Sequence, residues 1–128
     1  MSNQTIDPTA DAEKFIDAYN SGDLGRLEAV FGEDAELTHH NRGGTLAGRP
    51  AIMAMFEASG QMMPGKTFVD RQSLDVLGPD RVVVRHTWTV TPTVDVPGMA
   101  AAGEKISLDL ATFLTFRDGV VVDYHDFG

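Results

Sequence analysis

Cysteine is absent from this 128-residue chain, and with it go disulfides, thiolate zinc sites and cysteine nucleophiles. Positive charge is scarce. Ten Lys and Arg stand against 19 Asp and Glu, a formal charge of −9, and no basic run builds a surface able to track phosphates, so nucleic acid is not an expected partner. No stretch of about 18 apolar residues occurs, and the opening "MSNQTIDPTADAEKF" has neither the basic start nor the apolar core of a secretory leader. The expectation is a cytoplasmic protein that does not engage a membrane. The dinucleotide, P-loop, serine-hydrolase and zinc-protease signatures are all missing, and no cofactor is called for. The length fits one domain, residues 1–128, with room for a substantial core.

What is present divides by period. Asp7 before Pro8 is an N-cap with a first-turn proline, and Ala12, Phe15, Ile16 and Tyr19 recur at helical spacing until "NSGD", predicting a helix near 8–20. Asp23 caps a shorter helix near 23–31, with Leu24, Leu27 and Phe31 on one face. In "AELTHH" the pattern alternates, placing Ala35, Leu37 and His39 on one face of a short strand and Glu36, Thr38 and His40 on the other, so the adjacent histidines diverge. "NRGGTLAG" is turn-rich, and Pro50 opens a third helix near 49–59 with Ile52, Met55 and Phe56 inward. Beyond residue 65 the period becomes two: residues 66–77 and 81–92 meet at "GPD", and 104–116 and 120–127 meet at "RDG". Helices first and strands after predict an α+β fold, the helices covering one face of an antiparallel sheet. Between the hairpins, "TVDVPGMAAAGE" is a long connection that could border a pocket.

Few inward positions are polar, and those few carry the candidate chemistry. On "RVVVRHTWTV" one face reads Val82, Val84, His86, Trp88 and Val90, and a ring such as His86 among apolar neighbours must be hydrogen-bonded or solvated by a cavity. It is either a core histidine satisfied by a carbonyl or a cavity residue. His39, two residues past inward Leu37, is either a solvated strand end or the second member of such a pair. Two histidines on one cavity could supply a general base and a donor to a developing enolate. Thr112 is the one polar member of the face Leu108, Leu110, Leu114 and Phe116, and is either a filler or a polarising group. Tyr124, His125 and Asp126 form a polar cluster at the C-terminus in which either Tyr124 with Asp126, or His125, faces inward. The histidines and Asp126 are scattered in sequence, and no metal site is expected. The methionines near 53–63 read as core or pocket lining.

The stretches "FIDAYNSGDLGRLEAVFGEDAEL", "GGTLAGRPAIMAMF" and "LATFLTFRDGVVVDYHDF" resemble, in this order, the SnoaL-like branch of the nuclear transport factor 2-like superfamily, which includes polyketide cyclases and ketosteroid isomerases. The resemblance covers residues 9–128. It implies a strongly curved antiparallel sheet, an α+β barrel wrapped into a cone by three helices, with an apolar cavity for a small hydrophobic cyclic molecule. His39 falls where a ketosteroid isomerase carries its aspartate base, but Phe15 replaces the oxyanion tyrosine and Thr112 the second acid. Thr112 also occupies the position of the polyketide cyclase acid, and His86 lies on the strand where those enzymes place a histidine. Tyr19 with "NSGD" is similar to the first-helix tyrosine region of scytalone dehydratase, with Asn20 in place of its acid. The expectation is a cyclase, isomerase or dehydratase with His39 and His86 as catalytic residues and Phe15, Tyr19, Met55, Phe56, Trp88, Thr112, Tyr124 and Asp126 around the substrate. The alternative is a non-catalytic ligand-binding or dimerisation module. A homodimer is expected through the outer sheet face of Arg85, Thr87, Thr89, Thr91, Ser107, Ala111 and Phe113.

Overall fold

A computed structural model describes residues 7–40 and 43–128; the expected turn at 41–42 and the reading of the first six residues lie outside it. Three helices, α1 (Pro8–Ser21), α2 (Leu24–Ala29) and α3 (Arg49–Met62), accompany six strands. These are β1 (Phe31–His39), β2 (Thr45–Ala47), β3 (Thr67–Gly78), β4 (Arg81–Val90), β5 (Ile106–Arg117) and β6 (Val120–Phe127). The fold is α+β, with the strands in one sheet of order β2-β1-β6-β5-β4-β3. Helix α1 packs on β3 through β6, and α3 packs on β1 and β2.

The helix ends follow from capping chemistry. The Asp7 carboxylate accepts from the Ala10 amide at 3.0 Å, and Asp23 accepts from Arg26 at 3.1 Å, each satisfying a first-turn N–H that the helix cannot. Gly22 ends α1 in the left-handed region (φ 72°), its amide bonded to the Tyr19 carbonyl, a conformation glycine adopts without a Cβ penalty. The second helix stops at Ala29 rather than near 31, and β1 starts at Phe31 rather than 35. Val30 and Phe31 favour extended backbone, and Phe31 pairs with Val121, so tertiary pairing overrides the helical spacing.

Two features of the sheet depart from expectation. It is not antiparallel throughout, because β1 and β6 run parallel, with Leu37 opposite Tyr124 and His39 opposite Asp126. It is also open, with β2 and β3 as its edges, rather than closed into a barrel. A bulge between Val69 and Ser73 interrupts the β3–β4 ladder, and Asp70 there takes φ 50°, a local bend of the kind that curves a sheet. The helices cover one sheet face over a contiguous core in which Phe15 meets Phe31 edge-on at 5.5 Å. Ile52, fully buried, anchors α3, and its truncation to alanine would cost about 2–5 kcal/mol. Asn20 ties α1 to the edge strand by bonding both the amide (2.9 Å) and the carbonyl (3.1 Å) of Phe68. Among the described residues no helix is long and apolar enough to cross a membrane.

Candidate functional site

Alternation at the end of β1 sends His39 and the His40 that follows it to opposite sides, as the period of two requires. His40 is exposed on the outer face, bonded to His125 at 2.8 Å and stacked on Phe127. His39 faces the helices and meets Asp126 of the parallel neighbour, Nδ1 to Oδ2 at 2.7 Å. The last strand is therefore oriented with Tyr124 and Asp126 inward, both buried, and His125 outward.

The inward polar groups form a short chain, His39–Asp126–Tyr124. Asp126 is 2% exposed, and its Oδ2 also receives the Tyr124 hydroxyl at 3.0 Å. Thr112, separately, lies 2.9 Å from His86 Nε2. A carboxylate only accepts, so the Tyr124 proton points toward Asp126. From the other side, His39 donates Nδ1–H to the same oxygen. That assigns the His39 tautomer and leaves its Nε2 with a lone pair. Burial, reinforced by the Asp126 charge, holds the Tyr124 hydroxyl well above its ordinary pKa, so it stays a donor.

A cavity of about 90 Å³ opens against this chain. His39, Asp126 and Tyr124 form one end of its wall, and Tyr19, Met55, Phe56 and Trp88 line it as well. The indole N–H of Trp88 donates to the Tyr19 hydroxyl at 2.7 Å. Ser59, Met63, Lys66, Met99 and Leu110 complete the lining. Of these, Met63 lies among the methionines read as pocket lining, and Met99 comes from the long connection after β4, which turns back through a Val96–Ala100 bridge.

Three expected site residues are not on this wall. Phe15 is 1% exposed and packs against Phe31 and Tyr124, because its helical phase aims it at the core. Thr112 is committed to His86. His86 itself is 3% exposed and stacked flat on Phe68, ring centroids 4.1 Å apart. The expectation that His39 and His86 share one cavity is therefore not met: both face inward, but His86 sits beneath α1 and β3, two strands away from β6. Burial, with a further contribution from Arg71 and against the pull of Asp126, lowers its pKa to about 4, so its ring is neutral at pH 7.

The family-implied acid has a counterpart one strand away. Thr112, where the family resemblance implies an acid, has Asp126 as its direct cross-strand partner. A carboxylate at that partner position reaches the same inward surface from β6 instead of β5.

The three helices and the sheet order β2-β1-β6-β5-β4-β3 define an α+β protein. The chain belongs to the SnoaL-like domain family, whose model matches residues 12–124. Solved structures with the same fold include a candidate polyketide cyclase of Xanthomonas campestris pv. campestris, 20% identical, TM-score 0.81, covering 94% of this chain and 89% of that one. Another from Pseudomonas putida KT2440 is 20% identical at TM-score 0.80, with coverage of 94% and 90%. IdmH, a candidate polyketide cyclase of Streptomyces antibioticus, is 21% identical at TM-score 0.75, with coverage of 94% and 90%. No curated protein sequence matches the chain.

Proposed function

We propose that the protein is a small-molecule enzyme of cyclase, isomerase or dehydratase type, acting on an apolar ring compound by proton transfer at a carbon next to a carbonyl. The observation that carries this reading is the His39–Asp126 pair, 2.7 Å apart, on the wall of a partly open cavity. Asp126 fixes the His39 ring and stabilises the imidazolium that forms when Nε2 takes a proton. Tyr19 is the donor to the oxygen on which charge develops: its hydroxyl accepts from Trp88, and a hydroxyl that accepts a hydrogen bond becomes a stronger donor. His86, away from the wall, enters as the neutral anchor of Thr112 rather than as that donor. The polyketide cyclases among the structural neighbours carry the same fold, which is consistent with this class of chemistry.

The test is deuterium exchange at the α-carbon of 2-tetralone, an apolar bicyclic ketone, followed by NMR in D2O. Wild-type protein should accelerate exchange well above the rate with His39→Ala. Equal rates would return the protein to a binding-only reading of the cavity.

Assembly belongs to the same proposal. The outer face combines Thr87, bonded to Asp109 at 2.9 Å, with Ala111, Phe113 and the 43%-exposed Phe127, an apolar centre with a polar rim of the kind that two-fold related sheets bury against each other. We place a homodimer interface there. Light scattering at micromolar concentration should give twice the chain mass, and Ala111→Arg should shift it to the monomer; a wild-type monomer refutes the interface.

A further inference from the structure

Lys66 occupies a position unlike that of any other cation among the described residues. It leaves the turn at Gly65 (φ 82°) just ahead of β3, in phase with buried Phe68, and is itself half-buried, with its amine beside Phe56 of α3. Together with Tyr19 and Phe56 it lines both the inner cavity and a larger cleft of about 370 Å³ between the helices. It therefore stands at the junction of the two. Among the described residues it is the only lysine or arginine lining either space.

Its surroundings leave its charge poorly compensated. The amine lies over the Phe56 ring at 5.7 Å, and no carboxylate reaches it within ion-pair distance among the described residues. The acids that share these walls are otherwise placed: Asp23 caps α2, Asp126 receives His39 and Tyr124, and Glu57 is exposed. Burial pulls the Lys66 pKa down, the signature of a cation whose lost hydration nothing replaces, and an anion brought alongside would reverse that pull.

Resting on the reading of the cavity as a ligand site, we infer that Lys66 is an anion-recognition residue, and that the cavity takes ring compounds bearing a carboxylate. The inner space of about 90 Å³ is smaller than the cavity of about 150 Å³ that accommodates benzene, so it does not enclose a whole ring compound. A larger molecule must extend past Lys66 into the outer cleft, bringing a substituent at the junction beside the amine. In a chain of net charge −9 the general field repels such a ligand, so a local cation decides whether it enters.

Titration calorimetry with 1-naphthoate and its neutral analogue 1-naphthylmethanol tests this. Wild-type protein should bind naphthoate at least tenfold more tightly than the alcohol, Lys66→Arg should keep that preference, and Lys66→Met should lose it while retaining the alcohol affinity. The preference should survive in His39→Ala, which separates it from the proton-transfer chemistry: loss of exchange in that variant bears on His39 alone. Equal binding of the two probes by wild type, binding of neither, or an undiminished preference in Lys66→Met overturns the inference.

Discussion

His39→Ala is expected to lower kcat roughly 10²- to 10⁴-fold, the range a general base supplies, with little change in KM and an unchanged melting temperature. The ring is partly exposed to the cavity, 26% by side chain, so its removal opens space without stripping a packed core. Asp126→Asn sharpens the test. An asparagine that turns its amide N–H toward Nδ1 forces the imidazole proton onto Nε2, and the base loses its lone pair without losing its place. A comparable fall in kcat is expected there, whereas an Asp126 that merely supports the fold would leave kcat near wild type and move stability instead. Wild-type turnover in His39→Ala would remove the catalytic role altogether.

The second large effect concerns stability. His86 titrates near 6.5 when unfolded and near 4 in the native protein, so between these values the unfolded chain binds a proton that the folded one refuses. Stability is therefore complete above about pH 6.5 and falls as the pH drops toward 4, below which the contribution no longer changes. At 1.36 kcal/mol for each unit of pKa difference, the full loss is roughly 3 kcal/mol. His86→Gln, which can still donate to Thr112 and does not titrate, should lose less stability than wild type between pH 7 and pH 4.5 in urea unfolding. Parallel pH profiles for the two proteins would show that His86 is not the group responsible.

Much of this architecture is legible locally, because caps and periods are local properties. Asp7, Asp23 and Pro50 mark their helices, and strict alternation places His39, His86 and Thr112 inward. What alternation does not carry is how an inward surface is divided between core and cavity. His86 and Trp88 share a phase on β4, yet Trp88 lines the cavity and His86 stacks on Phe68, a distinction made by the elements packed above them. The orientation of β6 is undetermined by its own sequence, since "DYHDF" offers plausible residues in both phases; the parallel register with β1 resolves it. That register also made Asp126 the partner of His39, a pairing between residues 87 positions apart that no local pattern encodes. Lys66 is not marked by its local sequence, because a lysine at a strand entry ordinarily faces water. Its shared phase with Phe68 was the available signal.

The parallel pairing of β1 with β6 also sets the order in which the molecule can become complete during synthesis. A hairpin can close as soon as its second strand leaves the ribosome, but His39 has no carboxylate to meet until Asp126 has been added. At about 5–20 residues per second, the 87 residues added after His39 up to and including Asp126 take about 4–17 seconds. Until then β1 carries its inward histidine with one edge of the strand unpaired. The candidate site is thus one of the last parts of this sheet to form.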